Sequence, residues 1–170
     1  VAAYVVSTFG TPEPLFNTAD GVSEREDSTT LPANAHTHVS WAFSKPGIYR
    51  LTFGATDSAS QVITVAVGVT PPEGMHSLGK GHVDITADLG TGKLGLEDQG
   101  EHFDPATTAL SVPSSTLQEI PPDPSYRFLG RPGDETYLLP QAVLGKHIHG
   151  EVDPHLSLIH ISEPTRQEAI

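Results

Sequence analysis

The chain has no cysteine, and this absence removes several chemistries at once. It excludes a disulfide framework, a thiolate zinc site and a cysteine nucleophile. It does not argue against an extracellular location. Basic residues are scarce as well: 9 Lys and Arg stand against 21 Asp and Glu in 170 residues, a formal charge of −12. Nucleic acids and anionic membranes are bound through clustered Lys and Arg, so this balance speaks against both as partners. Long apolar runs are missing: no stretch approaches the roughly 18–20 apolar residues that span a bilayer as a helix. No charged-apolar-small leader opens the chain, which starts at Val1 without Met and reads as a piece of a longer protein. A hydrophobic content of 36% with 18% charge is low for a compact core, yet not low enough for disorder. Nor does the sequence hold a G-x-S-x-G elbow or a G-x-x-x-x-G-K-[ST] phosphate loop. It offers no catalytic constellation, and its carboxylates show no pairing that would mark a glycosidase.

What is present in abundance is turn chemistry. Sixteen glycines and 15 prolines punctuate the chain at short intervals and leave little room for helices of ordinary length. Between them run short segments in which apolar and polar residues alternate, the signature of half-buried strands. Val39, Trp41 and Phe43 alternate with His38, Ser40 and Ala42. Tyr49, Leu51 and Phe53 follow a Pro46-Gly47 turn. Ile63, Val65, Val67 and Val69 alternate with Val62, Thr64, Ala66 and Gly68. Val83, Ile85, Ala87 and Leu89 alternate with His82, Asp84, Thr86 and Asp88. Weaker strands are expected at 94–96, 109–112, 126–129 and 136–139, and a polar surface loop over 20–32. The spacing predicts an all-β chain of immunoglobulin-like β-sandwich type, with strand order left open. A break at Thr70-Pro71-Pro72-Glu73-Gly74 separates two strand-rich blocks.

Histidine, nine times present, carries the chemistry. His36-Thr37-His38 opens a strand, and residues i and i+2 face the same side of a sheet. Both imidazoles can therefore converge on one metal ion, with Trp41 and Phe43 turned to the core. The plain alternative is a pair of solvent-facing polar residues. Gly81-His82-Val83-Asp84 repeats the pattern: His82 and Asp84 share a face, as ligands or as a ligand with its orienting carboxylate. His147-Ile148-His149-Gly150-Glu151-Val152-Asp153-Pro154-His155 is the densest cluster, and a polar loop is its plain reading. Imidazole and carboxylate without thiolate suit Zn, Mn or Fe. His76 and His102 stand alone and read as surface residues.

These residues carry a resemblance. Ala35-His-Thr-His-Val-Ser-Trp-Ala-Phe-Ser-Lys-Pro-Gly-Ile-Tyr-Arg-Leu-Thr-Phe53 resembles the hallmark of the choice-of-anchor M surface repeat domain, and Phe9 to Gly21 fits the same domain upstream. Gly81-His-Val-Asp84 is similar to the opening of that repeat. Tyr126-Arg-Phe-Leu-Gly130 and Tyr137-Leu-Leu-Pro-Gln141 are similar to its middle. The resemblance implies that residues 1–70 are the C-terminal half of one repeat and 71–145 the N-terminal half of the next. It also implies a surface-anchored, extracellular setting in Gram-positive bacteria, beside or inside components of metal-type ABC transporters. His147 to His155 resembles the His-rich loop and Asp-Pro-His motif of zinc/manganese solute-binding proteins, which makes 146–155 the start of such a lobe and His155 a ligand. The other ligands of that lobe's site fall outside this sequence.

Leu156-Ser-Leu-Ile-His-Ile-Ser-Glu-Pro-Thr-Arg166 is similar to something else: the in-frame translation of a transposon sequencing adapter, continued by its last base and a short index over 167–169 and by the bases after the index at Ile170. On that reading the natural chain ends near His155, and residues 156–170, His160 included, carry no function.

The combined expectation is a non-enzymatic module of a divalent-metal (Zn or Mn) ABC-transporter substrate-binding protein. Its metal residues would be His36, His38, His82, Asp84, His147, His149 and His155. Its partners would be the transporter permease and other surface repeat proteins. A ligand-free structural or adhesive spacer is the alternative, and a carbohydrate hydrolase with an accessory sandwich is a more distant one. One further expectation follows from the split repeat: if the two halves pair as a circular permutant would, His82 comes near His36 and His38.

Overall fold

The computed structural model describes residues 1–23, 26–32, 35–54, 60–79, 82–88 and 90–141, and the backbone of 155–162. Fourteen strands run through these residues: β1 (Ala2–Val6), β2 (Pro12–Asn17), β3 (His36–His38), β4 (Ser40–Phe43), β5 (Gly47–Phe53), β6 (Gln61–Val67), β7 (His76–Leu78), β8 (His82–Asp88), β9 (Lys93–Asp98), β10 (Glu101–Phe103), β11 (Thr108–Val112), β12 (Leu117–Glu119), β13 (Glu135–Leu139) and β14 (His155–Ser162). The only helical pieces among them are two 3₁₀ turns, Ser114–Thr116 and Pro124–Tyr126. The chain is thus all-β and sandwich-like, as its alternation requires. Among the described residues no helix is long and apolar enough to cross a membrane.

Three sheets form, ordered β12-β13-β4-β1-β2, β10-β9-β8-β14-β3 and β5-β6-β11-β7. Most pairings are antiparallel, but β11 runs parallel to both β6 and β7, and β14 runs parallel to β8. Residues on both sides of the 70/71 break share these sheets, since β13 pairs with β4 and β11 with β6. They also share one core. Trp41 and Phe43 from the first sheet, Val83, Ile85 and Leu96 from the second, and Ile63, Val65, Val67, Leu110 and Val112 from the third are all buried together. Trp41 stacks on Phe43 at 6.4 Å and meets Phe53 edge-on at 6.0 Å, within the range where ring pairs attract beyond their burial.

The alternation expected from the sequence holds along β8, where Val83 and Ile85 are buried and His82 and Asp84 are half-exposed. It fails along β4 and over 63–67 of β6, which are buried on both faces. Both are inner strands, β4 between β13 and β1, β6 between β5 and β11. Val69, expected to continue the β6 pattern, lies beyond the strand end and is exposed. Gly68 turns the chain there with φ +60°, and a Cβ at that position would stand 2.8 Å from the Tyr137 hydroxyl, so only glycine fits.

A second expectation is corrected at 126–129. Instead of a strand, a 3₁₀ turn covers Pro124–Tyr126, and the Leu129 N–H continues it by donating to the Tyr126 carbonyl at 2.9 Å. The cause is local: Pro124 presets φ, and the Asp123 carboxylate accepts from the Ser125 N–H at 2.9 Å and hydroxyl at 2.8 Å. Tyr126 and Phe128 instead pack edge-on against Tyr4, at 6.1 and 5.4 Å. Burial there pushes the Tyr4 phenol up to about 12. The 20–32 segment carries no strand among its described residues. Its Asp27 carboxylate accepts from the Asn17 and Ser23 N–H groups, both at 2.9 Å, and these bonds hold its pKa below the usual carboxylate range.

If this shared core carries the stability, Phe43→Ala lowers unfolding free energy by about 3–5 kcal/mol in urea titrations. Ile48→Ala, on the exposed face of β5, stays within about 0.5 kcal/mol.

Candidate metal centre

Two short strands of the second sheet present the histidines. In β3, His36 and His38 flank Thr37 and share one face, where their rings stack at 4.9 Å with planes 10° apart. The next residue, Val39, is buried, and the chain passes from the second sheet into β4 of the first. In β8, burial of Val83 and Ile85 turns His82 and Asp84 to the opposite face. The backbone of β14 lies between these strands, paired to both. The imidazoles nevertheless meet: His82 lies 5.1 Å from the His38 ring and 5.8 Å from the His36 ring, centroid to centroid. One potential ligand nitrogen from each of His36, His38 and His82 can be chosen so that all three lie within 4.8 Å of one another.

Asp84 completes the arrangement. Its Oδ1 is 3.0 Å from His82 Nε2 and 3.5 Å from His36 Nε2. Zinc binds nitrogen and carboxylate oxygen near 2.0–2.2 Å in a tetrahedron, whose edges are then about 3.3–3.6 Å. The His36–Asp84 separation is close to such an edge, the His82–Asp84 contact is at hydrogen-bond distance, and the three imidazole nitrogens, within 4.8 Å of one another, need to close by up to about 1.5 Å. The carboxylate can serve in two ways: as the fourth ligand, or as the acceptor that fixes the tautomer of a ligating imidazole. The site is open to solvent, with the His36 and His82 side chains 43% and 30% exposed and Asp84 14%.

Four of the seven metal residues read from the sequence therefore stand together: His36, His38, His82 and Asp84. The approach of His82 to His36 and His38 is the one expected of a permuted pairing, with the difference that β3 and β8 are bridged by β14 and do not pair directly. His155 lies on β14, where its backbone is the register partner of His82. The strand it opens includes Leu156 to Ser162, the segment similar to an adapter translation. Its Ser157 pairs with both His38 and Asp84. His147 and His149 lie outside the described residues. Of the two histidines read as lone surface residues, His76 stacks on Phe103 at 5.0 Å, and His102 places Nδ1 3.4 Å from Glu97 Oε2. The His102–Glu97 pair was missed. Its signal was present in β9, where Leu94 and Leu96 alternate with Gly95 and Glu97.

No family model, curated protein or solved structure matches the chain.

If Asp84 ligates or orients the cluster, Asp84→Asn weakens zinc binding about 10–100-fold in a competition titration with a chromophoric chelator. His76→Ala, remote from the cluster, leaves the affinity unchanged.

Proposed function

We propose that this chain is a non-enzymatic binding module that captures a divalent transition metal, zinc or manganese, through His36, His38 and His82 with Asp84. The observation that carries this reading is the convergence of three imidazoles from two separate strands within 4.8 Å, against a carboxylate that already touches two of them. Surface histidines scattered for solubility have no reason to converge. Neutral imidazoles with one carboxylate favour zinc over the harder manganese ion. The excess of acidic side chains over the whole chain favours accumulation of cations.

The setting is proposed from the resemblance to the choice-of-anchor M repeat. In it the module is extracellular and anchored at a Gram-positive cell surface, among other surface repeat proteins. Captured metal passes to the permease of a zinc/manganese-type ABC transporter, with His147, His149 and His155 belonging to the adjoining solute-binding region. The mechanism is reversible capture: metal displaces the protons and waters on the imidazoles where metal is available, and releases where protons compete.

Titration of zinc and manganese into the chain tests this reading. Replacing His36, His38 and His82 together by alanine is expected to weaken zinc binding by more than about 100-fold, beyond the effect of losing an orienting group alone. Affinity is expected to fall on acidification, since a protonated ring cannot ligate. A separate His147→Ala/His149→Ala/His155→Ala variant isolates any contribution of that segment. No binding by either the parent or the triple β3/β8 variant would favour a ligand-free structural or adhesive spacer, and equal binding by both would overturn the assignment of the metal to His36, His38 and His82.

A further inference from the structure

Six strands end the three sheets, and five of them are poor templates for further pairing. A sheet edge presents unpaired N–H and C=O groups, and proteins blunt it with short strands or with proline. β12, β10, β3 and β7 have three residues each. β2 has six, but Pro12 and Pro14 supply no N–H. β5 differs from all of these. It runs seven residues from Gly47 to Phe53 without a proline, and among the described residues it pairs only with β6.

The side chains of β5 are also left uncovered on both faces. On the core side Tyr49, Leu51 and Phe53 pack against the core but are only partly buried. Phe43 meets Tyr49 at 5.1 Å and Trp41 meets Phe53 at 6.0 Å, so the aromatic cluster of the core runs out to this edge. On the other side Ile48, Arg50 and Thr52 are exposed. The strand carries no carboxylate, although the chain has 21, so two copies meet here without opposing acids within the strand.

We infer that β5 is an interaction edge whose partner is β5 of a second copy of this chain, paired antiparallel about a two-fold axis through Leu51. The inference is independent of the metal-capture reading. An axis normal to the sheet keeps the two core faces on one side and makes the contact self-complementary. Its position follows from the side chains. An axis through Arg50 would oppose two guanidinium groups, which destabilises a strand pair. One through Tyr49 would set Leu51 against Gly47 and Phe53 against Lys45 of the other copy. The axis through Leu51 sets Tyr49 opposite the partner's Phe53, Leu51 opposite the partner's Leu51, and Arg50 opposite the partner's Thr52. Aromatic rings then meet aromatic rings on the core face, and the one charge of the strand meets a neutral residue. The two four-stranded sheets join into one. A pairing this short lies at the low end of interface sizes, so the dimer is weak and reversible.

Sedimentation equilibrium of the full chain, with a chelator present to exclude bridging by metal, tests the inference. A reversible monomer–dimer equilibrium is expected between about 10 µM and 1 mM. Thr52→Glu sets a carboxylate opposite the partner's Arg50 twice in each dimer, and is expected to tighten the dimer about 2–30-fold. Thr52→Arg sets like charges there, and is expected to weaken it by a similar factor. Position 52 is exposed, and an unchanged urea midpoint checks that each variant folds. Opposite responses to the two substitutions support this edge in this register. A dimer that responds to neither, or that both weaken, would overturn the pairing. A chain that stays monomeric throughout would also overturn it, and would leave the edge to a strand of another protein.

Discussion

The register of β8 is the constraint on which the rest depends. Val83 and Ile85 are buried in the shared core, and a strand has only two faces. A slip of one residue would put His82 and Asp84 into that core and the two aliphatic residues into water. Core packing and site geometry are thus set by one choice, and burial of the aliphatic pair, worth several kcal/mol, dominates it. The same logic fixes the partners: once β9 pairs with β8 and β10 with β9, Glu97 and His102 must stand on the histidine face.

Much of this was legible in the sequence because period-two alternation is a local signal. β5, β8 and β13, with the pairing face of β8, follow from residue order alone. The convergence of His82 with His36 and His38 followed only conditionally, from the idea that the halves of two repeats pair. What stayed hidden was non-local or overridden. The parallel pairing of β11 with β6 and β7 leaves no mark in alternation, because both faces of 63–67 are buried and the pattern is lost. Tyr126 to Leu129 looks like a strand by composition, yet Pro124 and the Asp123 cap turn it into a 3₁₀ segment. Glu97 and His102 were passed over because each looks ordinary by itself, and only cross-strand register places them beside Asp84.

The β14 strand sets two readings of one segment side by side. Leu156-Ser-Leu-Ile-His-Ile-Ser162 alternates well enough to form a strand whatever its origin, and its backbone fills the position between β3 and β8. Strand formation follows from alternation and from two unpaired edges, so it bears on physics and not on ancestry. The three-histidine cluster itself is built from β3 and β8 side chains. A metal ion bound there would tie those strands together across β14, and such binding adds to the stability of the arrangement that presents the ligands.

The central claim is that β3 and β8 together form one imidazole-rich metal centre. X-ray absorption at the zinc edge, on the chain loaded with one equivalent of zinc, examines it most directly. A four-coordinate shell of nitrogen and oxygen near 2.0–2.1 Å is expected, with outer-shell scattering from three imidazole rings. That scattering should be lost when His36, His38 and His82 are replaced by alanine. A six-coordinate oxygen shell without imidazole scattering, or a spectrum unchanged by the triple replacement, would contradict it.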